Sequence, residues 1–114
     1  MNFHDNKLWQ DAYVVLMDIY TTLDEVDPEV REQEEETIES LLTASQNVAA
    51  KISDGLSRND KRVGKDLLYS AIGLVAIVRT HIAIAWGRGI IDDEKLKTLD
   101  DKYQVLSQNL QAIR

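Results

Sequence analysis

Between Asp66 and Trp86 the chain reads DLLYSAIGLVAIVRTHIAIAW, a run too apolar to form one wall of a small monomeric helical protein. At about 100° per residue, Leu67, Ala71, Leu74, Val75, Val78, Ile82 and Ala85 share one face. Ile77 and Ile84 fall on one flank, and Leu68, Ile72 and Trp86 on the other. The remaining sector holds Tyr69, Gly73, Ala76, Thr80 and Ala83, mostly small side chains. A helix apolar nearly all round must be buried on more than one side. At 114 residues there is room for one domain and one core. The surplus face therefore calls for further copies of the chain or for a partner. Gly73, Ala76, Ile77, Thr80, Ala83 and Ile84 are the candidate oligomer interface.

The same segment has the length of a bilayer span, but Arg79 and His81 interrupt it. A central arginine costs roughly 2.5–3.5 kcal/mol even on the lenient insertion scale. The rest of the chain is ordinary amphipathic helix, so no membrane association is expected. The N-terminal MNFHDNKLWQD lacks a basic region followed by an apolar run, so no secretory signal is read there. Without cysteine there are no disulfides, thiolate zinc sites or cysteine nucleophiles. A cytoplasmic location fits.

One proline and five glycines favour helices, and four are read along residues 1–114, taken as a single domain. The first spans about 7–23, capped by Asp5 or Asn6. The second spans 28–53, with Asp27 as cap, Pro28 at its first position and Gly55 as its stop. Its core stripe is Val30, Thr37, Ile38, Leu41, Ser45, Val48 and Ile52, and Glu29, Glu32, Glu36 and Glu39 form a solvated outer face. The third spans 60–86 and ends at Gly87-Arg88-Gly89. The fourth spans 93–112, capped by Asp92, with Ile91 placed to staple against Leu96. Its seam, Leu96, Leu99, Tyr103, Leu106, Leu110 and Ile113, is that of a bundle. Short connections predict an all-α, up-down-up-down antiparallel four-helix bundle.

Little in the chain suggests catalysis. Its two histidines, His4 and His81, have no Glu three residues before them, as a di-iron bundle would require. Gly87-Arg88-Gly89 is too short for a phosphate-binding glycine loop. No catalytic residue, metal ligand, cofactor or small-molecule substrate is expected. Arg79, set in an apolar helix, needs an acid, a carbonyl or water.

The net charge of −7 is unevenly spread. Residues 1–39 carry twelve acids against Lys7 and Arg31, whereas residues 40–91 carry Asp54, Asp60 and Asp66 against seven bases. Within the second block Arg58, Lys61, Arg62 and Lys65 cluster at the start of the third helix, and Lys51 precedes the turn. Such a patch suits phosphates or an acidic protein surface. No aromatic ring interleaves with these bases, as a stacking platform for single strands would need. Lys51, Arg58, Lys61, Arg62, Lys65, Arg79 and Arg88 are the candidate contacts to a partner or to nucleic acid.

Trp9-Gln10-Asp11-Ala12 with Tyr20, Ile52-Ser53-Asp54-Gly55-Leu56-Ser57-Arg58, and Ala71-Ile72-Gly73 together carry a resemblance. The chain resembles the bacterial four-helix-bundle family that includes ribosomal-RNA intervening-sequence proteins and the accessory variability determinant (Avd-like) of diversity-generating retroelements. The family pattern at the second turn is close to Asn-Ile-Ala-Glu-Gly-x-x-Arg; here Lys51, Ser53 and Asp54 stand for Asn, Ala and Glu. Leu74 and Ile77 stand where the family commonly has Ser and Glu. The run from Gly73 to Arg79 is more similar to the retroelement accessory branch. The resemblance implies a homopentameric ring of bundles without known catalysis, and in that branch binding to a reverse transcriptase and nucleic acid through basic surfaces.

Overall fold

Asn6 opens the first long helix: its side chain accepts the Leu8 N–H at 2.8 Å, satisfying a donor that the first turn leaves free. In the computed structural model, which describes residues 2–113, a 3-10 turn at Phe3–Asp5 precedes α1 (Lys7–Asp24). There follow α2 (Pro28–Gln33), α3 (Glu35–Ser57), α4 (Lys61–Gly87) and α5 (Asp93–Gln111). Asp60 caps α4 by accepting from Arg62 and Val63 N–H groups, and Asp92 caps α5 through the Lys95 N–H. Gly89, at φ +76°, turns the chain out of α4, a conformation that a side chain would resist.

The second predicted helix is divided and extended. It breaks at Glu34, whose φ of −111° and ψ of 25° separate α2 from α3. Two arginines hold the bend. Arg31 donates to the Leu23 carbonyl at the end of α1, and Arg88, from the loop after α4, grips the Glu34 carboxylate through two nitrogens at 2.9 and 3.1 Å. Arg88 holds the Glu34 carboxyl below its usual range, outweighing a smaller opposing effect of burial. Pro28 does begin α2, but the Asp27 side chain makes no capping hydrogen bond.

At its other end the helix runs past Gly55 to Ser57, because Gly55 is a contact point rather than a stop. A Cβ there would meet the Gly64 carbonyl oxygen at 2.9 Å and Leu68 Cγ at 2.8 Å. A Cβ on Gly64 would meet the Gly55 carbonyl oxygen at 2.6 Å. Two glycines thus let α3 and α4 cross almost backbone to backbone, beside a short turn.

The partners of α4 and α5 run in opposite numerical order: Trp86 with Asp93, Arg79 with Asp100, Tyr69 with Ile113. The same holds for α3 and α4, where Glu34 meets Arg88 and Gly55 meets Gly64. Each long helix touches two others, in the cyclic order α1, α3, α4, α5. The result is an antiparallel bundle measuring 47 × 20 × 20 Å.

Its core contains Ile19, Leu41, Ile52, Val78, Ile82, Leu99, Tyr103 and Leu110, all at most 1% exposed. The hydroxyls of Thr22 and Ser45 are buried, each donating to the carbonyl four residues earlier, the usual way a helix absorbs such groups. The buried face of α4 includes Leu68 and leaves Leu67 half-buried, a small rotation from the sequence reading. Leu68 is drawn inward because it packs over Gly55. Ile91 is buried and Leu96 packs against the core. Among the described residues α4 alone is long and apolar enough to cross a membrane, yet it also lines the bundle core through Ala71, Val75, Val78, Ile82 and Ala85.

Candidate partner-binding surface

Once α4 has buried its core face, the opposite face stays open. Gly73, Ala76, Ile77, Thr80, Ala83 and Ile84 are all exposed, with Ile77 at 49% and Ile84 at 42%. Thr80 donates its hydroxyl to the Ala76 carbonyl at 3.0 Å, so this strip presents no unsatisfied side-chain donor. A Cβ on Gly73 would find nothing within 4 Å; that glycine leaves a shallow gap in an otherwise apolar stripe. Exposed apolar patches of this continuity mark contact surfaces.

The basic residues separate into two sets. Arg79 sits on the α5 side of α4 and binds both carboxylate oxygens of Asp100, at 2.8 and 3.1 Å, which raises its pKa above the ordinary guanidinium value. Arg88 is occupied by Glu34, and Arg58 by Asp54 at 2.9 Å. Lys51, Lys61, Arg62 and Lys65 have no carboxylate partner among the described residues. These four surround the α3–α4 turn. Lys95, at the opposite end of the bundle, also lacks such a partner, and Arg31 donates to a backbone carbonyl, so the α3–α4 turn holds the largest group of unpaired cations among the described residues.

Rings do occur at that end, against the sequence reading that none interleaves with the bases. Lys65 Nζ lies 5.9 Å from the centre of the Tyr69 ring, a cation–π distance. The Tyr69 hydroxyl donates to the Ile113 carbonyl at 2.6 Å, which anchors the half-open ring. Position i+4 from Lys65 was a visible signal for this pair. A second group of rings needs the fold to be seen. The 3-10 turn folds back so that Phe3 and His4 meet Trp9 edge-on, at 5.5 and 4.8 Å, while Trp9 stacks on Tyr13 at 5.1 Å. Because α1 and α3 are antiparallel, this corner lies at the same end as the basic turn.

Between α3 and α4 runs a groove of about 550 Å³, walled by Leu74, Ile77 and His81 on one side and by Glu36, Glu39 and Asn47 on the other. His81 is half-buried there. No three His, Asp or Glu side chains gather as a metal-binding set among the described residues. No curated protein and no solved structure shows a significant match to the chain. The profile of the 23S rRNA-intervening sequence proteins matches residues 4–112, nearly the whole sequence, and the chain belongs to that family.

Proposed function

We propose that the protein is a non-enzymatic, cytoplasmic scaffold that assembles with itself through the outer face of α4 and acts by binding a partner. Five copies in a ring is the arrangement that the family resemblance implies. The observation that carries the reading is the open stripe from Gly73 to Ile84, apolar, small and free of unsatisfied donors. Burying a side chain such as isoleucine contributes roughly 1.5–3 kcal/mol, and a ring repeats that gain at every joint. Arg79, paired to Asp100 near the middle of α4, argues that the stripe meets protein rather than lipid.

Multi-angle light scattering at micromolar concentration is expected to give a mass several times 13.0 kDa. Ile77→Glu places a charge in the joint and is expected to weaken assembly by about 100-fold, which corresponds to about 2.7 kcal/mol. Its circular dichroism should remain that of the parent, because Ile77 is not a core residue. A monomeric parent chain would sink the proposal.

A second reading is favoured by the Lys65–Tyr69 pair beside Lys61 and Arg62: an Avd-like accessory protein that binds nucleic acid and a reverse transcriptase. A ring would multiply these basic turns around its axis and offset the overall negative charge locally. Single-stranded RNA should then be retained at 50 mM salt and released by about 200 mM. Charge reversal at Lys61, Arg62 and Lys65 should abolish retention without changing the oligomeric mass. Failure to retain RNA or DNA at low salt would remove this reading and leave the scaffold.

A further inference from the structure

Between α2 and α3 runs a groove of about 440 Å³, with Ile38 and Leu42 inside it and Pro28, Glu32, Glu35 and Glu39 around it. Its surroundings are strongly acidic. Residues 24–39 hold nine acids and one base, Arg31. Arg31 also lines the groove but donates to the Leu23 carbonyl. Of the nine acids only Glu34 forms an ion pair among the described residues. Glu35 and Glu39 stand four apart on α3, a like-charge spacing that destabilises a helix. The fold itself gains nothing from these charges.

The groove opens onto the outer face between α1 and α3. At about 100° per residue, Trp9, Tyr13, Met17 and Tyr20 share the flank of α1 turned toward α3. The facing flank of α3 carries Leu42, Gln46 and Ser53, and Gln46 donates to the Tyr20 hydroxyl at 2.5 Å. None of these seven side chains is charged. Tyr13 stacks on Trp9 and is 43% exposed. From Glu35 to Ser53 the face is about 27 Å long at the rise of an α-helix, acidic at one end and aromatic or polar but uncharged along the rest. It lies on the other side of α3 from α4, separate from the open stripe of that helix.

We propose that the α1/α3 face docks an amphipathic helix of a partner protein whose cationic residues are gathered at one end. The proposal rests on the partner-binding reading above and names the surface and the chemistry of the partner. Arginines or lysines of the incoming helix meet Glu32, Glu35 and Glu39, and its apolar side chains cover Leu42 and Met17, as helices seated in grooves do. The half-open Tyr13 ring accepts an apolar side chain or a cation equally well. Charge complementarity selects this occupant. Phosphates of nucleic acid and anionic lipid are repelled from the same carboxylates. A second copy fits less well, because its basic turn carries Asp60 and Asp66 among the lysines and arginines.

The probe is a dye-labelled synthetic peptide of about 18 residues, long enough to span the face as a helix. It has a leucine stripe and arginines confined to one half; a scrambled peptide of the same composition is the control. Fluorescence anisotropy is expected to show the parent protein binding the patterned peptide about tenfold tighter than the scrambled one. Glu35→Gln with Glu39→Gln should lose about tenfold in affinity. Asp66→Asn with Glu94→Gln removes the same charge from exposed positions elsewhere and should leave binding unchanged. Tyr13→Ala should weaken binding several-fold, and Tyr13→Phe should restore it. Equal binding of the two peptides, equal losses in the two double variants, or no binding of either peptide overturns the proposal. A fall in oligomeric mass on Glu35→Gln with Glu39→Gln would place a second copy on this face and overturn it too. Assembly of the parent is measured separately by light scattering, so a failure to bind peptide leaves the self-assembly reading intact, whereas a monomeric parent removes that reading alone.

Discussion

Gly64→Ala is expected to cost about 2 kcal/mol of folding stability, lowering the melting temperature by roughly 8 °C for a domain of this size. The change looks mild, since alanine is the better helix former by about 1 kcal/mol. Space overrides propensity. The added Cβ would lie 2.6 Å from the Gly55 carbonyl oxygen, a backbone atom of the neighbouring helix that no rotamer change can move. Helices α3 and α4 must separate at their closest point, and Leu68, packed over Gly55, loses contact with them. Gly55→Ala would meet the Gly64 carbonyl oxygen at 2.9 Å and Leu68 Cγ at 2.8 Å and is expected to cost a similar amount. Gly73→Ala is the internal control, because its Cβ would find open space. Thermal denaturation of the three variants at a concentration below that of assembly checks the order. Stability of Gly64→Ala equal to or above the parent would mean that the crossing is not close-packed.

That crossing shows why part of the fold was legible in the sequence and part was not. Helix starts are local events, and Asn6, Asp60 and Asp92 are caps that can be read from a few residues. The open stripe on α4 was legible for a similar reason: periodicity places Gly73, Ala76 and Thr80 together on one uncharged face. Gly55 misled because a glycine after a helical run has the same local signature whether the helix ends there or touches a neighbour. Only Gly64, on another helix, distinguishes the two. The break at Glu34 has in part the same origin, since Arg88, which grips its carboxylate, comes from beyond α4. Spacing alone puts Lys61, Arg62 and Lys65 on the first turns of α4. Which cations remain available was not visible, because the acids that engage Arg79 and Arg88 lie far along the chain.

Tyr103 sets the second large effect, which appears at high pH. Its side chain is fully buried, and its hydroxyl has no hydrogen-bond partner among the described residues. Ser45, on the diagonal helix, lies nearby but donates its own hydroxyl to the Leu41 carbonyl. Burial pushes the phenol up to about 12 from 10.0; proximity to Ser45 offsets part of that, and the negative charge of Asp18 adds to it. Below pH 10 the phenol is neutral in both folded and unfolded chains, so it gives no pH dependence. Between pH 10 and 12 the unfolded chain releases this proton while the folded chain retains it, so stability falls as pH rises. A two-unit shift corresponds to about 2.7 kcal/mol once the folded pKa is passed. Tyr103→Phe removes the dependence. The variant is expected to be about 1 kcal/mol more stable than the parent at pH 7, because an unpartnered buried hydroxyl is lost. Its advantage should widen steadily from pH 10 to pH 12 in urea unfolding experiments. Loss of stability at pH 7 would instead identify Ser45 as a working acceptor, and an advantage independent of pH would show that the phenol ionises as readily in the folded core as in water.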